Sequence, residues 1–210
     1  MSEQRRRGIS RTLKLAAIAA GLILIAGLAI VTAVVEAEAD YKHEPLGGEG
    51  KLRALVLFHP SRDAHFSEDL SVALAEGLKA AGFAVDRSTM TRQTPDKPAD
   101  YALIAVVTNT FWWTPDLPTL RYLERARFGG VYAIGLIGGG GSTGRSQRML
   151  DEALRKTGAN VIRTRSFWLS RPNDETRMEE DNRVVALEMA RKFGEDSGRA
   201  VLASSAKPRP

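Results

Sequence analysis

At 210 residues with a formal net charge of +5 and no cysteine, the chain has room for one domain and an appendage. Disulfides, thiolate metal sites and cysteine nucleophiles are excluded. Arg5, Arg6, Arg7, Arg11 and Lys14 against Glu3 put +4 of that charge in the first 35 positions, so the remainder is close to neutral and carries no nucleic-acid footprint.

Residues 15–35 hold no charged side chain. At 1.5 Å per residue such a helix spans roughly 30 Å, one hydrocarbon core. The pattern predicts a basic cytoplasmic tail over 1–14, a transmembrane helix over 15–36 and a linker over 37–50. The Lys/Arg bias before the helix places the N-terminus in the cytoplasm and the domain on the far side of the cell membrane, as a single-pass protein. Ala37-Glu38-Ala39 also fits a signal-peptide cleavage site, but the apolar run is longer than a signal core requires. Arg6-Arg7-Gly8-Ile9 resembles a twin-arginine signal, and an ordinary basic leader accounts for it equally well.

The soluble part begins with an apolar strand over 52–58 (LRALVLF), closed by His59-Pro60. Ser67 is a candidate N-cap, followed by Glu68 and Asp69 in the first turn. Leu70, Ala73, Leu74, Leu78 and Ala81 repeat at helical spacing, and Gly82 is the stop. A short second strand begins at 83–85. Residues 101–107 (YALIAVV) are apolar throughout, as in a sheet covered on both faces. The loop TNTFWWTP follows, then a helix over 116–126 with Pro118 in its first turn.

A fourth strand over 131–137 leads into GGGGSTG, and a helix with Met149, Leu150, Ala153 and Leu154 on one stripe runs to Gly158. Residues 159–168 form a fifth strand, and 177–193 a last helix ended by Gly194. The domain is expected over 51–196, with a disordered tail over 197–210. Strands alternating with helices imply right-handed crossovers and a parallel sheet, hence an α/β fold.

This order, with its three loops, resembles the flavodoxin-like family of flavodoxins and FMN-dependent quinone or NAD(P)H reductases, across 51–193. The resemblance implies a three-layer sandwich with a five-stranded parallel sheet in the order 2-1-3-4-5. The cofactor, FMN, would lie at the switch point between strands one and three. It implies a phosphate site at Ser61, Arg62, His65 and Ser67. It also implies a ring site flanked by Asn109, Thr110, Phe111, Trp112 and Trp113 on one side and Gly139, Gly140, Gly141, Ser142 and Gly144 on the other. The TNTFWWTP loop looks like the flavin-side loop of the reductases. The loop SRDAHFS departs from the Thr/Ser/Gly-rich phosphate pattern: it has no glycine, and Asp63 adds a negative charge.

Other motifs are weaker. Gly139-x-Gly141-x-x-Gly144 matches a dinucleotide fingerprint, but it follows the fourth strand, and no acid ends the next one. Gly139-x4-Gly144-Arg145-Ser146 approaches a Walker A loop with Arg where Lys is required. His59, Asp63 and His65 are too few for a metal site. Ser61, Asp63 and His65 are too local for a hydrolase triad. Arg163, Arg165 and Arg171 surround the fifth strand and read as edge protection or as a dock for an acidic partner.

The expected function is a membrane-anchored flavodoxin-like protein that binds FMN and moves electrons to a quinone or a redox protein partner. No side chain stands out as a catalytic acid or base. The alternative is a flavin-free flavodoxin-fold module tethered as an interaction or scaffolding domain.

Overall fold

A computed structural model describes residues 3–61 and 65–205, and the chain divides into two compact units, 1–37 and 38–210. The first is a single helix, α1 (Glu3–Val35). Its stretch Leu13–Val34 is long and apolar enough, by length and composition, to cross a membrane, and its large apolar side chains are exposed.

The second unit is built on strands β1 (His43–Gly47), β2 (Leu52–Phe58), β3 (Phe83–Thr89), β4 (Leu103–Phe111), β5 (Thr114–Pro115), β6 (Tyr132–Gly139) and β7 (Asn160–Trp168). Helices α2 (Phe66–Ala81), α3 (Leu117–Arg125), α4 (Gly144–Lys156) and α5 (Asn182–Ser205) connect or follow them. The sheet order is β1-β3-β2-β4-β6-β7, with β5 paired to the end of β4. Its five parallel strands therefore run in the expected order 2-1-3-4-5.

The sheet has seven strands rather than five. β1 lies in the stretch expected to be a linker and pairs antiparallel with β3, from His43↔Ser88 to Gly47↔Val85. Its HEPLG sequence carries no strand signal, and Pro45 is tolerated because an edge strand has a side without a ladder. What holds it is polar and cross-strand. Lys42 N donates to Thr89 Oγ1 at 2.8 Å, Ser88 Oγ donates to Lys42 O at 2.9 Å, and Arg87 Nε donates to Glu44 Oε1 at 2.7 Å. β1 covers an edge of β3 that would otherwise be open to pairing.

Successive strand residues face opposite layers. Ala54, Val56, Phe58, Leu103, Ala105, Val107 and Leu136 pack under α2 and α5, against Phe66, Leu70, Leu74, Leu78, Ala186, Ala190 and Phe193. Leu55, Leu57, Ile104, Val106, Ala133 and Ile137 face α3 and α4, against Tyr122, Leu123, Leu150 and Leu154. This is a three-layer α/β/α sandwich of flavodoxin-like topology. The continuous apolar runs in β2, β4 and β6 follow from burial on both faces.

The last helix starts later and runs further than expected, from Asn182 to Ser205, through Gly194. The expected domain end at 196 and the tail from 197 are thereby corrected as far as Ser205, and Val201 is fully buried. Gly194 is not a stop but a contact. A Cβ there would lie 2.5 Å from Leu74 O, one on Gly77 would lie 1.9 Å from Arg191 O, and one on Gly198 would lie 2.6 Å from Ala81 Cβ. The two helices approach too closely for side chains on this seam, and the packing of α2 against α5 outweighs the low helix propensity of glycine.

Candidate functional site

The loops after β2, β4 and β6 gather at the carboxyl end of the parallel strands, where open α/β sheets bind ligands. Of the residues expected there, Arg62 lies outside the described residues.

His59 leaves β2 and is buried. Its carbonyl accepts from Ser67 Oγ at 2.7 Å and from Asn109 Nδ2 at 3.1 Å, which ties the first loop to α2 and to β4. Its ring Nδ1 lies 3.4 Å from Asp116 Oδ2. Asp116 is also buried and is the N-cap of α3, its Oδ1 accepting from Thr119 N at 2.9 Å. Its Oδ2 accepts from Asn109 N at 2.9 Å and from Thr108 Oγ1 at 3.0 Å. Burial alone would raise the Asp116 carboxyl, but the bonds from His59, Thr119 and Asn109 outweigh it and hold the group below its ordinary value. One carboxylate thus caps a helix and pins two loops. The sequence reading weighed His59 as a metal ligand and missed this pair, although Asp-Leu-Pro is an N-cap signal.

The first loop differs from expectation in its cap. α2 begins at Phe66, and the N-cap is His65 in the left-handed region (φ 55°), with no side-chain cap bond. Ser67 lies inside the first turn, where its N–H is satisfied by Ser61 Oγ at 3.2 Å. Ser61 in turn donates both its N–H (3.0 Å) and its hydroxyl (3.2 Å) to Glu68 Oε2. Ser67 Oγ is 3.1 Å from the same oxygen, but it has one proton, and the shorter contact to His59 O takes it. His65 Nδ1 lies 3.2 Å from Glu68 Oε1. Burial raises the Glu68 carboxyl, while the bonds from the Ser61 N–H, from His65 and from its own backbone N–H more than offset it, leaving the group below its ordinary value.

The expected phosphate site therefore brings Ser61, His65 and Ser67 together, but around a carboxylate of the chain itself. These residues do not fit a phosphate as they stand. Ser61 gives its donors to that anion, and Ser67 gives its own to Ser61 Oγ and His59 O.

The second loop is a hairpin. β4 runs through Asn109, Thr110 and Phe111 and turns back into β5, with Phe111 paired to Thr114. The two turn residues are Trp112 (φ 48°) and Trp113 (φ 60°). Positive φ at both central positions is the signature of a type I′ turn, which ordinarily takes Asn-Gly. A bulky residue held left-handed costs about 1–2 kcal/mol. The two residues remain 52% and 54% exposed. Phe111 and Trp112 meet edge to face at 5.8 Å, and Trp112 and Trp113 lie 6.0 Å apart, tilted by 56°.

The third loop packs against the second at its base. A Cβ on Gly139 would lie 2.8 Å from Thr143 Cγ2 and 3.2 Å from Thr110 Cβ. On its other flank the loop is tied to the segment after β7. Leu169 N donates to Gly139 O and Ser170 N to Gly140 O, each at 3.0 Å, and Trp168 Nε1 donates to Thr143 Oγ1 at 2.8 Å. Gly140, Ser142 and Gly144 are exposed and Gly141 half-buried, at the start of α4. The expected ring-site residues thus occur as two adjacent loops, joined where Thr110 meets Gly139.

The topology and the three loops define the class: an α/β domain of the flavodoxin-like fold. Solved structures agree. An archaeal flavodoxin superposes with a TM-score of 0.55 at 15% identity, over 72% of this chain and 99% of that one. An NAD(P)H:quinone oxidoreductase from Methanothermobacter marburgensis gives 0.51 at 18%, over 70% and 98%. A flavodiiron protein from Giardia intestinalis gives 0.56 at 19%, over 76% of this chain but 39% of that one. At these identities the likeness is one of fold. No protein-family model matches the sequence, and no curated protein does.

Proposed function

We propose that this protein is a membrane-tethered redox module of the flavodoxin type. It takes a flavin, FMN being the cofactor of the resemblance, by its ring between the Trp112–Trp113 hairpin and the loop at 139–144. It then passes electrons to a quinone or a redox protein. The observation that carries the reading is the tryptophan turn. Two large rings, half exposed, are held in a backbone conformation that disfavours them, at the ligand-binding end of the sheet. Strain of this kind persists where a function uses it.

The flavin, when bound, supplies the redox chemistry. The chain's own residues position it. The tryptophans offer an aromatic surface that buries area while keeping an N–H donor at its edge. Asp116 and His59 hold the hairpin's base against the first loop. Gly139 lets the third loop close onto Thr110. α1 serves as the tether, with the domain on the side opposite the basic N-terminus.

A titration tests the reading. Full-length protein in neutral detergent is mixed with flavin while tryptophan fluorescence is followed. Saturable quenching, weakened ~10-fold or more in Trp112→Ala/Trp113→Ala, is expected, since base–aromatic stacking contributes about 1–3 kcal/mol. Absence of quenching at high micromolar flavin would overturn it. A reporter fused to the C-terminus tests the orientation: one active only in the cytoplasm refutes it. The second reading, a flavin-free interaction domain, is favoured by one observation, the carboxylate of Glu68 among the donors of the first loop.

A further inference from the structure

We infer that Arg145, Arg148 and Arg171 form a docking face for an acidic protein surface, at the rim of the glycine loop that follows β6. The face does not depend on the flavin. The partner's role as an electron carrier rests on the function proposed above, and of the two acceptors named there the face suits the redox protein.

Charge in the domain is uneven. Residues 139–173 hold seven basic residues against Asp151 and Glu152, a net of +5, while the chain beyond position 35 is close to neutral. Part of that charge is used internally or turned away. Arg155 Nε lies 2.8 Å from Asp151 Oδ2. Arg163 turns toward α5, its Nε donating to Ser197 Oγ at 2.9 Å and its guanidinium 4.6 Å from the centre of the Phe193 ring. Arg165, two residues on, shares that face of β7 by the alternation of a strand and lies over the Phe167 ring. Of the arginines around this strand, Arg171 alone is left on the side of α4.

Arg145, Arg148 and Arg171 are exposed, and among the described residues none of them has an ion-pair partner. Arg171 stays unpaired although residues 174–181 hold five acids. Its guanidinium lies 4.7 Å from the centre of the Trp168 ring, which orients the charge without neutralising it. Arg145 is the second residue of α4, where a cation opposes the helix dipole. The helix gains nothing from that charge, and no carboxylate of the described chain answers it.

The fold sets the three on one rim. Gln147 ties α4 to β7, its Nε2 donating to Thr164 O and its Oε1 accepting from Ser166 Oγ, each at 2.9 Å. Arg148, next to it, lines with Gly144 and Thr164 an open groove of about 410 Å³ along that seam, which Asp151 and Glu152 close at the far end. Arg145, three positions before Arg148, lies on the same flank of the helix. Arg171 sits at the head of the seam. Trp168 beneath it donates to Thr143 Oγ1 at 2.8 Å, and a Cβ on Gly141 would lie 3.8 Å from Arg171 Cβ. Exposed guanidiniums on two segments offer charge to a surface rather than enclosing a single anion. Such charges steer an oppositely charged partner and fix its register.

The test uses full-length protein in neutral detergent and an octaglutamate peptide carrying a dinitrophenyl group, which quenches tryptophan. The three tryptophans, Trp112, Trp113 and Trp168, all lie at the carboxyl end of the sheet, so quenching reports binding there. Arg145→Gln/Arg148→Gln/Arg171→Gln is compared with Lys51→Gln/Lys97→Gln/Arg191→Gln, which removes the same charge from exposed positions elsewhere in the domain. At low salt the second variant should bind within about twofold of wild type and the first ~10-fold or more weakly, and the difference should vanish at ~0.5 M salt. Equal binding by both variants overturns the inference, as does no binding by wild type at low salt. Displacement of the peptide by inorganic phosphate, where sulfate of the same ionic strength leaves it bound, would make the face a small-anion site. A tryptophan blue shift in micelles containing phosphatidylserine, lost in the first variant, would make it a lipid site. Either result also overturns the inference. Flavin titrated in parallel separates the two readings. Peptide binding lost only in the first variant, with no flavin bound, keeps the docking face and removes its electron-carrier role. Flavin binding with both variants alike toward the peptide keeps the ring site and removes the face.

Discussion

The loops after β2 and β4 stand side by side, joined through His59 O, and they are finished in opposite ways. Among the described residues flanking the loop after β2, each donor of Ser61 and Ser67 has an internal acceptor, and the charge of Glu68, which takes those of Ser61, suits the helix end. The hairpin after β4 is left open, with two exposed tryptophans in a turn that favours neither. A site that needs no ligand to satisfy its donors gains little from binding one. A site that holds apolar rings in water under backbone strain gains from covering them. On the function proposed above, the difference puts the ligand on the Trp side of this end of the sheet.

Substitutions can break or sharpen this contrast. The largest effect is expected at Asp116, on which both loops depend. Asp116→Ala should destabilise the domain by about 3–5 kcal/mol in denaturant titration, because it leaves the buried His59 ring and three donors without their carboxylate. Asp116→Asn should lose less, since the amide oxygen still caps α3.

Next is the turn. Trp112→Asn/Trp113→Gly installs the residues a type I′ turn prefers and should raise stability by about 1–2 kcal/mol while abolishing flavin-dependent quenching. Higher melting with binding intact would show that the strained rings are not the ligand surface. Gly139→Ala, whose methyl meets Thr143 and Thr110, should cost about 1 kcal/mol and weaken ring binding by parting the second and third loops.

The smallest effect is a pH dependence. Glu68 and Asp116 both have carboxyls held below their ordinary values of 4.5 and 3.8. Their contribution to stability is therefore complete above that range and is lost as pH falls through the lower folded values, where the native state must take up the proton. Glu68→Gln should lower the melting temperature slightly at neutral pH and flatten its further loss below pH 4.5. An unchanged acid limb would mean that the Ser61 bonds do not stabilise the ionised form.

Much of the scaffold was readable in the chain. The apolar runs at 52–58, 101–107 and 131–137 are central strands because only residues buried on both faces dispense with alternation. The stripe from Leu70 to Leu78, with Gly82 behind it, became α2 as expected, and Gly82 is left-handed at φ 102°. The loops holding Asn109, Phe111, Trp112 and Trp113, and Gly139 to Gly144, fall at the carboxyl end as the βαβ order requires. β1 was not readable, because its stability comes from Thr89, Ser88 and Arg87, more than forty positions away.

Local pattern by itself determined the alternation of strands and helices and the apolar N-terminal helix, since each is written in the periodicity of neighbouring residues, whereas the order of the parallel sheet was implied only by the family resemblance. Tertiary structure decided what could not be written locally. Gly194, a helix stop by propensity, is an interior residue because α2 leaves no room for a side chain there. Glu68, an ordinary first-turn acid, takes both donors of a serine seven positions earlier. The Trp pair became a strained hairpin tip only because Phe111 and Thr114 pair across it. In each case the deciding partner is brought near by the fold, and its distance and direction, not its identity, set the outcome.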